Sequence, residues 1–229
     1  MSSISGAGTA IFSMPILMIM GVPVTSILAA NQVSSSIWTP IASKNYSGNI
    51  AIRWPLVFGI GGLGLLGVFV GTVGIEYIPM PIFKRIIGFV ILGVMIFIAT
   101  KKDFYEQKNK HKNQHSFYLL WGFPLGLYQS LFGAASIFSS MMFCKVYSCD
   151  LRQSLAYAYA VAFPWCVFAA TIFYFKGWVV WSVAIPFALG STIGAYMGSR
   201  IGSTLSSKSL QKIVLILGTI MGLRFVLIV

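Results

Sequence analysis

Acidic side chains are nearly absent: four Asp and Glu stand against sixteen Lys and Arg in 229 residues. The four are Glu76, Asp103, Glu106 and Asp150, and each reads as a loop or helix-end residue. A relay of buried carboxylates, the usual route of protons through pumps, therefore has no support. His111 and His115 fall in a hydrophilic stretch and do not replace it. Cys144, Cys149 and Cys166 are odd in number and form no CxxC, so neither a disulfide framework nor a metal site is indicated. They read as small packing residues. No GxxxxGK[ST] occurs, which leaves ATP-driven pumping without a nucleotide site, and no other cofactor motif is present. The opening residues lack the charged n-region and small-residue cleavage site of a signal peptide.

What is present is apolar. Hydrophobic residues make up 57% of the chain and charged residues 9%. Several runs approach the roughly 20 residues that cross a bilayer as helix. Lipid cannot satisfy backbone polar groups, so only helices or closed barrels span it, and these runs lack the alternation of barrel strands. The reading is an all-α integral membrane protein. The net charge of +12 lies between and beside the apolar runs, where it orients a membrane protein rather than binding nucleic acid.

Eight segments follow in order. A short one over 9–20 turns at Gly21-Val-Pro23 into a second over 25–43, which carries the polar stripe Asn31, Gln32, Ser34, Ser35, Ser36 and Thr39. A polar loop over 44–53 leads to a third, 54–74, with Gly64, Gly67, Gly71 and Gly74 on one face for close helix contact. A fourth covers 82–100. The fifth, 117–146, is interrupted by Pro124 and Gly133; the sixth covers 151–175. A seventh, 178–199, repeats the small face with Gly190, Gly194 and Gly198, and the eighth runs from 210 to the end.

The chain is internally duplicated. Adding 127 to a residue number carries Gly6 to Gly133, Ser13 to Ser140, Leu28 to Leu155, Trp38 to Trp165, Trp54 to Trp181, Gly67 to Gly194 and Gly71 to Gly198. Two tryptophan matches at one offset carry weight in a chain with six Trp. The resulting organisation is a first membrane repeat over 1–100, a basic linker over 101–116 and a second repeat over 117–229. Met1 corresponds to Tyr128, so the first repeat is expected to lack the entering limb of its first hairpin.

Basic residues vote on how the fifth segment sits. If it crosses the membrane once, the loops divide Lys and Arg nine to seven. If it enters and returns, Lys44, Arg53, Lys101, Lys102, Lys108, Lys110, Lys112, Lys145, Arg152, Arg200, Lys208 and Lys212 share one side. Only Lys84, Arg85, Lys176 and Arg224 lie opposite. The positive-inside rule selects the second arrangement. Each repeat then has a broken, re-entrant hairpin plus three transmembrane helices, and the two repeats are inverted, as in many secondary transporters.

The stretches G-A-G-T-A-I-F-S-M-P-I-L over 6–17, G-V-P over 21–23, A-A-N-Q over 29–32 and G-N-I-A-I-R-W over 48–54 resemble the sulfite exporter TauE/SafE family. The glycine-spaced runs over 64–74 and 190–202 are similar too, and the likeness covers nearly the whole chain. Thr9 and Ala10 depart from a leading motif that is often richer in glycine in the family. The resemblance implies a transporter, not an enzyme. It would move a small, typically sulfur-containing anion such as sulfite, thiosulfate or an organosulfonate across the inner, cytoplasmic membrane of a prokaryote, as a multi-pass protein.

The residues themselves lead to a compatible site. A half-helix that starts inside the membrane presents unpaired N–H groups and a positive dipole end, an anion site without a cation. Gly6 and Gly8, and Gly133 with Ala134, allow close backbone approach. Thr9 and Ser136, equivalent by the repeat, either cap the half-helices or donate to an oxyanion. Asn31, Gln32 and Ser35 donate at membrane depth or glue helices together, Gln129 reaches the same cavity, and Tyr157 is an aromatic wall or a packing residue. Two other readings stay open: a membrane enzyme or assembly factor with a thiol or lipid substrate, and a scaffold subunit without a central cavity.

Overall fold

The computed structural model describes residues 16–18, 20–48, 52–79, 119–133, 135–147 and 151–202, with Ile82, Phe83, Ile86, Phe89 and Gly93. The linker, the eighth segment, most of the first and fourth, and the site candidates Gly6, Gly8, Thr9 and Ala134 lie outside the described residues. Six α-helices are described: α1 Val24–Ser47, α2 Trp54–Gly74, α3 Gly122–Phe132, α4 Ser136–Tyr147, α5 Leu151–Phe175 and α6 Trp181–Gly202. A 3-10 turn, Ile75–Tyr77, extends α2, and no strand occurs among the described residues.

Glycine and proline set the boundaries. Ahead of α1, Gly21 takes φ 79°, Val22 N–H donates to Leu17 O and Gly21 N–H to Met18 O, the paired bonds of a Schellman stop. The same pair closes α5 at Gly177, from Trp178 N–H to Phe173 O and from Gly177 N–H to Tyr174 O. The apolar fold of the chain back on itself is thus written in local turn chemistry.

Three boundaries differ from the sequence reading. Helix α1 continues through Lys44, Asn45, Tyr46 and Ser47, because these residues still pack on the neighbouring α5 and α6. Helix α6 begins at Trp181 rather than 178; Trp178 instead stacks on Phe173 across the Gly177 turn, centroids 5.3 Å apart. Between helical Leu119 and α3 the chain turns at Leu120 and Trp121, and Pro124 follows in the first turn of α3, where a missing N–H costs no helical bond.

Contacts give every helix a direction. Helix α5 runs antiparallel to α1, with Arg152 near Tyr46, Ser43 Oγ donating to Ala156 O at 2.9 Å, and Trp38 edge-on to Tyr159. It runs parallel to α2: Arg53 N–H donates to Tyr157 Oη at 3.1 Å, Trp165 Nε1 to Gly61 O at 2.8 Å and Lys176 Nζ to Thr72 O at 3.0 Å. Helix α6 is parallel to α1, joined by Ser34 to Ser191 and by Asn45 Nδ2 to Ser199 Oγ. One end of the bundle therefore gathers Lys44, Arg53, Arg152 and Arg200. The other carries the Lys176–Glu76 ion pair at 3.0 Å.

Helices α3 and α4 form a hairpin rather than one rod. Tyr128 and Phe138 meet with ring centroids 5.0 Å apart; a continuous helix would separate them by about 15 Å along its axis. The first limb runs parallel to α2 from the basic end, and the second returns beside α5, where Phe143 stacks on Tyr157 and Cys144 bonds Ser154. Both limbs open toward the basic end.

The small face of α2 is used as the glycine spacing predicts. A Cβ on Gly67 would stand 2.0 Å from Phe123 O, and one on Gly126 would stand 2.0 Å from Gly64 O, so α2 and α3 touch backbone to backbone. A Cβ on Gly64 would also strike the Trp165 ring at 2.2 Å. The corresponding face of α6 is used only at its end: Gly190 and Gly194 are exposed and have open space, while Gly198 is buried, as are Ala188, Ala195 and Ser199.

Two described helical stretches are long and apolar enough to cross a bilayer, Trp54–Tyr77 with mean hydropathy 2.2 and Arg152–Phe175 with 1.7. Outward faces are apolar as well. Phe58, Leu66 and Phe69 on α2 and Ile185, Leu189 and Ile193 on α6 are all exposed, a pattern that marks contact with something other than water.

Two predictions follow. In a background without the native cysteines, single cysteines at Lys44 and Arg200 should react with an impermeant reagent from one face of the membrane, and a cysteine at Tyr77 from the other. Reaction of Lys44 and Tyr77 positions from the same face would refute these directions. Gly126→Ala should lose about 1–3 kcal/mol through overpacking, whereas Gly190→Ala should be neutral or slightly stabilising; melting of the two purified variants separates the cases.

Candidate functional site

The break between α3 and α4 is the most polar place in the described interior. Gly133 ends α3 with φ 62°, and its N–H donates to Gln129 O at 2.8 Å. Gln129 Oε1 then accepts the N–H of Ala135 at 2.9 Å, bridging the break from the last turn of one half-helix to the start of the next. That contact fixes the orientation of the amide, so Nε2 points the other way, toward Cys166 Sγ at 3.2 Å and Gln32 Oε1 at 3.5 Å. Gln32 Nε2 in turn donates to Gln129 O at 2.8 Å. All of these groups are buried.

Helix α4 thus begins in the interior of the bundle. Its first internal bond runs from Ser139 N–H to Ala135 O at 2.9 Å, so the N–H groups of the preceding turn have no helical acceptor. Ser136 opens that turn and Ser139 stands one turn further on the same face. Both are buried, and Ser139 Oγ has no hydrogen-bond partner among the described residues. Ser35 Oγ is another buried hydroxyl without a partner of normal geometry, although it stands beside the Cys166 thiol. Asn31 lies one turn before Ser35 on α1 and is fully buried. A buried hydroxyl left without a partner costs about 1–3 kcal/mol; such groups are informative where a ligand would complete them.

The structure brings together Gln32, Gln129, Gly133 and the start of α4, with Ser35 joined through Cys166. Tyr157 is elsewhere. Its hydroxyl accepts Arg53 N–H and its ring stacks on Phe143, 5.2 Å between centroids. It lies nine residues before Cys166 on α5, about 13 Å along the helix. Ser34 faces α6 and bonds Ser191. Trp38 and Trp165 are both fully buried packing residues.

Cys166 and Ser139 were not legible as site residues. The repeat offset does carry Thr39 to Cys166, a polar position in the first half, and that was the available signal. Cys144 and Cys166 are free and buried, and among the described residues no group of His, Cys, Asp and Glu could hold a metal ion.

Comparison with known proteins points to membrane transporters. The family described as sulfite exporter TauE/SafE matches residues 1–225. A probable membrane transporter protein of Haemophilus influenzae is 25% identical over 226 residues, covering 98% of this chain and 88% of that protein. A probable membrane transporter protein, ORF9, of a Sinorhizobium species is 22% identical, covering 97% of this chain and 85% of its own length. No solved structure matches. The chain belongs to the sulfite exporter TauE/SafE family of membrane transporters.

Proposed function

We propose that the protein is a secondary transporter of a small, sulfur-containing oxyanion or sulfonate in the cytoplasmic membrane, and that the anion binds at the start of α4. The carrying observation is a half-helix whose N-terminus is buried inside the bundle and held in place by the Gln129 side chain. Its free N–H groups and dipole favour an anion. Ser136 and Ser139 on one face of α4, with Ser35 and Asn31 on α1, supply further donors without a competing carboxylate.

Inverted repeats are part of the same reading. The starts of α1 and α5, Val24 and Leu151, are 127 residues apart, as are those of α2 and α6, Trp54 and Trp181. The members of each pair run in opposite directions, which supports an exchange of access between two faces around a central site. By the same offset the second half-site would hold Gly6, Gly8 and Thr9, facing Gly133, Ala134 and Ser136. Thiol chemistry gains no support from Cys144 and Cys166, which sit buried within helices.

Reconstituted protein should take up sulfite, thiosulfate or a small sulfonate into liposomes; folded protein with no flux for any of them would remove the substrate assignment. Ser139→Ala should leave stability nearly unchanged while raising the half-saturating concentration about tenfold, the loss of one hydrogen bond to a charged ligand. Gln129→Glu keeps the acceptor for Ala135 N–H but places a like charge at the site, and should abolish uptake with the fold retained. Wild-type uptake by both variants would move the site away from the break.

A further inference from the structure

A cavity lies on the outer face of the bundle, between the C-terminal part of α1, the first half of α2 and the middle of α5. Its volume is about 590 Å³ and it is open to the surroundings. Sequence accounts for its shape. Pro40 on α1 and Pro164 on α5 both line it; a proline inside a helix lacks the N–H of one helical hydrogen bond. Gly61 and Gly62 on α2 supply no side chain to fill the gap, and a Cβ on Gly62 would meet nothing within 4 Å.

The wall is apolar along its length and cationic at one end. Trp54, Phe58, Leu65 and Phe163 line it, with Phe58 and Phe163 exposed on the outer surface. From Trp54 to Leu65 the helix rises about 16 Å, close to the depth of one leaflet of a hydrocarbon core about 30 Å thick. Lys44 lines the mouth, and Arg53 stands between the lining residues Ile52 and Trp54. Both cations are exposed, and neither is ion-paired with a described residue. Trp54 at the same level is the kind of residue that settles at a membrane interface. The mouth belongs to the end of the bundle that gathers Arg152 and Arg200, the end the positive-inside rule assigns to the cytoplasm.

We propose that this groove is a binding site for one anionic phospholipid of the cytoplasmic leaflet, with an acyl chain along α2 and the phosphate at Lys44 and Arg53. The groove is one leaflet deep, apolar where the chain would lie and cationic where the headgroup would lie. It is separate from the start of α4, so it depends on placement in a bilayer and not on the transported substrate. A lipid seated there fills the space that Pro40, Pro164, Gly61 and Gly62 line, and couples the anionic lipid content of the membrane to the packing of α1 and α5.

The test is native mass spectrometry of the purified full chain, titrated in detergent with phosphatidylglycerol or phosphatidylcholine of identical chains. Wild type should retain one phosphatidylglycerol about tenfold more tightly than phosphatidylcholine. Gly62→Trp, whose side chain enters the open groove, should lose that adduct for both lipids. The double variant Lys44→Gln, Arg53→Gln alters only exposed side chains; it should keep chain binding and lose the preference for phosphatidylglycerol. Equal retention of the two lipids by wild type, or wild-type retention by Gly62→Trp, would overturn the proposal. So would a Gly62→Trp variant that changes the oligomeric mass and leaves the lipid adduct intact, because the groove would then be a contact between copies. If Gly62→Trp does not fold, an undiminished phosphatidylglycerol preference in the double variant is sufficient to reject it.

Discussion

A helix that stops inside an apolar interior leaves backbone donors and acceptors with no water to take them. The Gln129 amide answers that constraint. Its carbonyl oxygen takes the Ala135 N–H across the break, its own backbone carbonyl receives both Gly133 N–H and Gln32 Nε2, and its Nε2 turns to Cys166. Four helices are pinned by one residue. The same arrangement leaves the first turn of α4 without internal acceptors, so the contact that holds the break together also leaves a helix N-terminus buried in the bundle.

Around that break, close backbone contact holds the hairpin to the bundle. Gly64, Gly67 and Gly71 on α2 face Gly122, Gly126 and Ser130 on α3 at distances that exclude any side chain. In hydrocarbon no hydrophobic force drives helices together, so dispersion at short range and a few interhelical hydrogen bonds carry the association. Trp165 uses both: its ring fills the space above Gly64 and its Nε1 donates to Gly61 O. The equivalent place in the other half differs. Ser191 stands where the offset puts Gly64, and its hydroxyl donates to Ala188 O, the acceptor that corresponds to Gly61 O. Trp38 Nε1 is left without a partner among the described residues. Positions 127 residues apart thus pack differently, with the tighter helix contact on the α2 side.

The ends of the bundle are held by charge and capping. Lys176 pairs with Glu76, donates to Thr72 O at the end of α2 and lies 5.0 Å over the Trp178 ring. At the opposite end Arg152 donates to Tyr46 O in the last turn of α1, where a cation meets the negative end of the helix dipole. These contacts lie where water or headgroups are near. The interior between them combines a large apolar cluster with close glycine contacts and a few buried hydroxyl and amide bonds.

Composition, hydrophobic run length and glycine spacing were sufficient for the helical membrane class and for the limits of α2 and α5, which begin and end where the sequence pattern places them. Turn residues with one permitted conformation made Gly21 and Gly133 readable, and the count of loop cations selected a returning hairpin. These are local or additive properties, and a linear chain displays them. The extension of α1 through Ser47 and the exposed glycines at 190 and 194 depended on which neighbour each face meets. The candidate site divided in the same way. Gln32, Gln129 and Ser136 stood out in the sequence because polar residues in apolar runs are costly and conspicuous. Cys166 and Ser139 stand near the break only through tertiary contact, and Tyr157 is placed apart from it, its hydroxyl accepting the backbone N–H of Arg53. Which polar groups find partners is set by the packing of α1, α3, α4 and α5 together, a pairing of distant positions that no local pattern encodes.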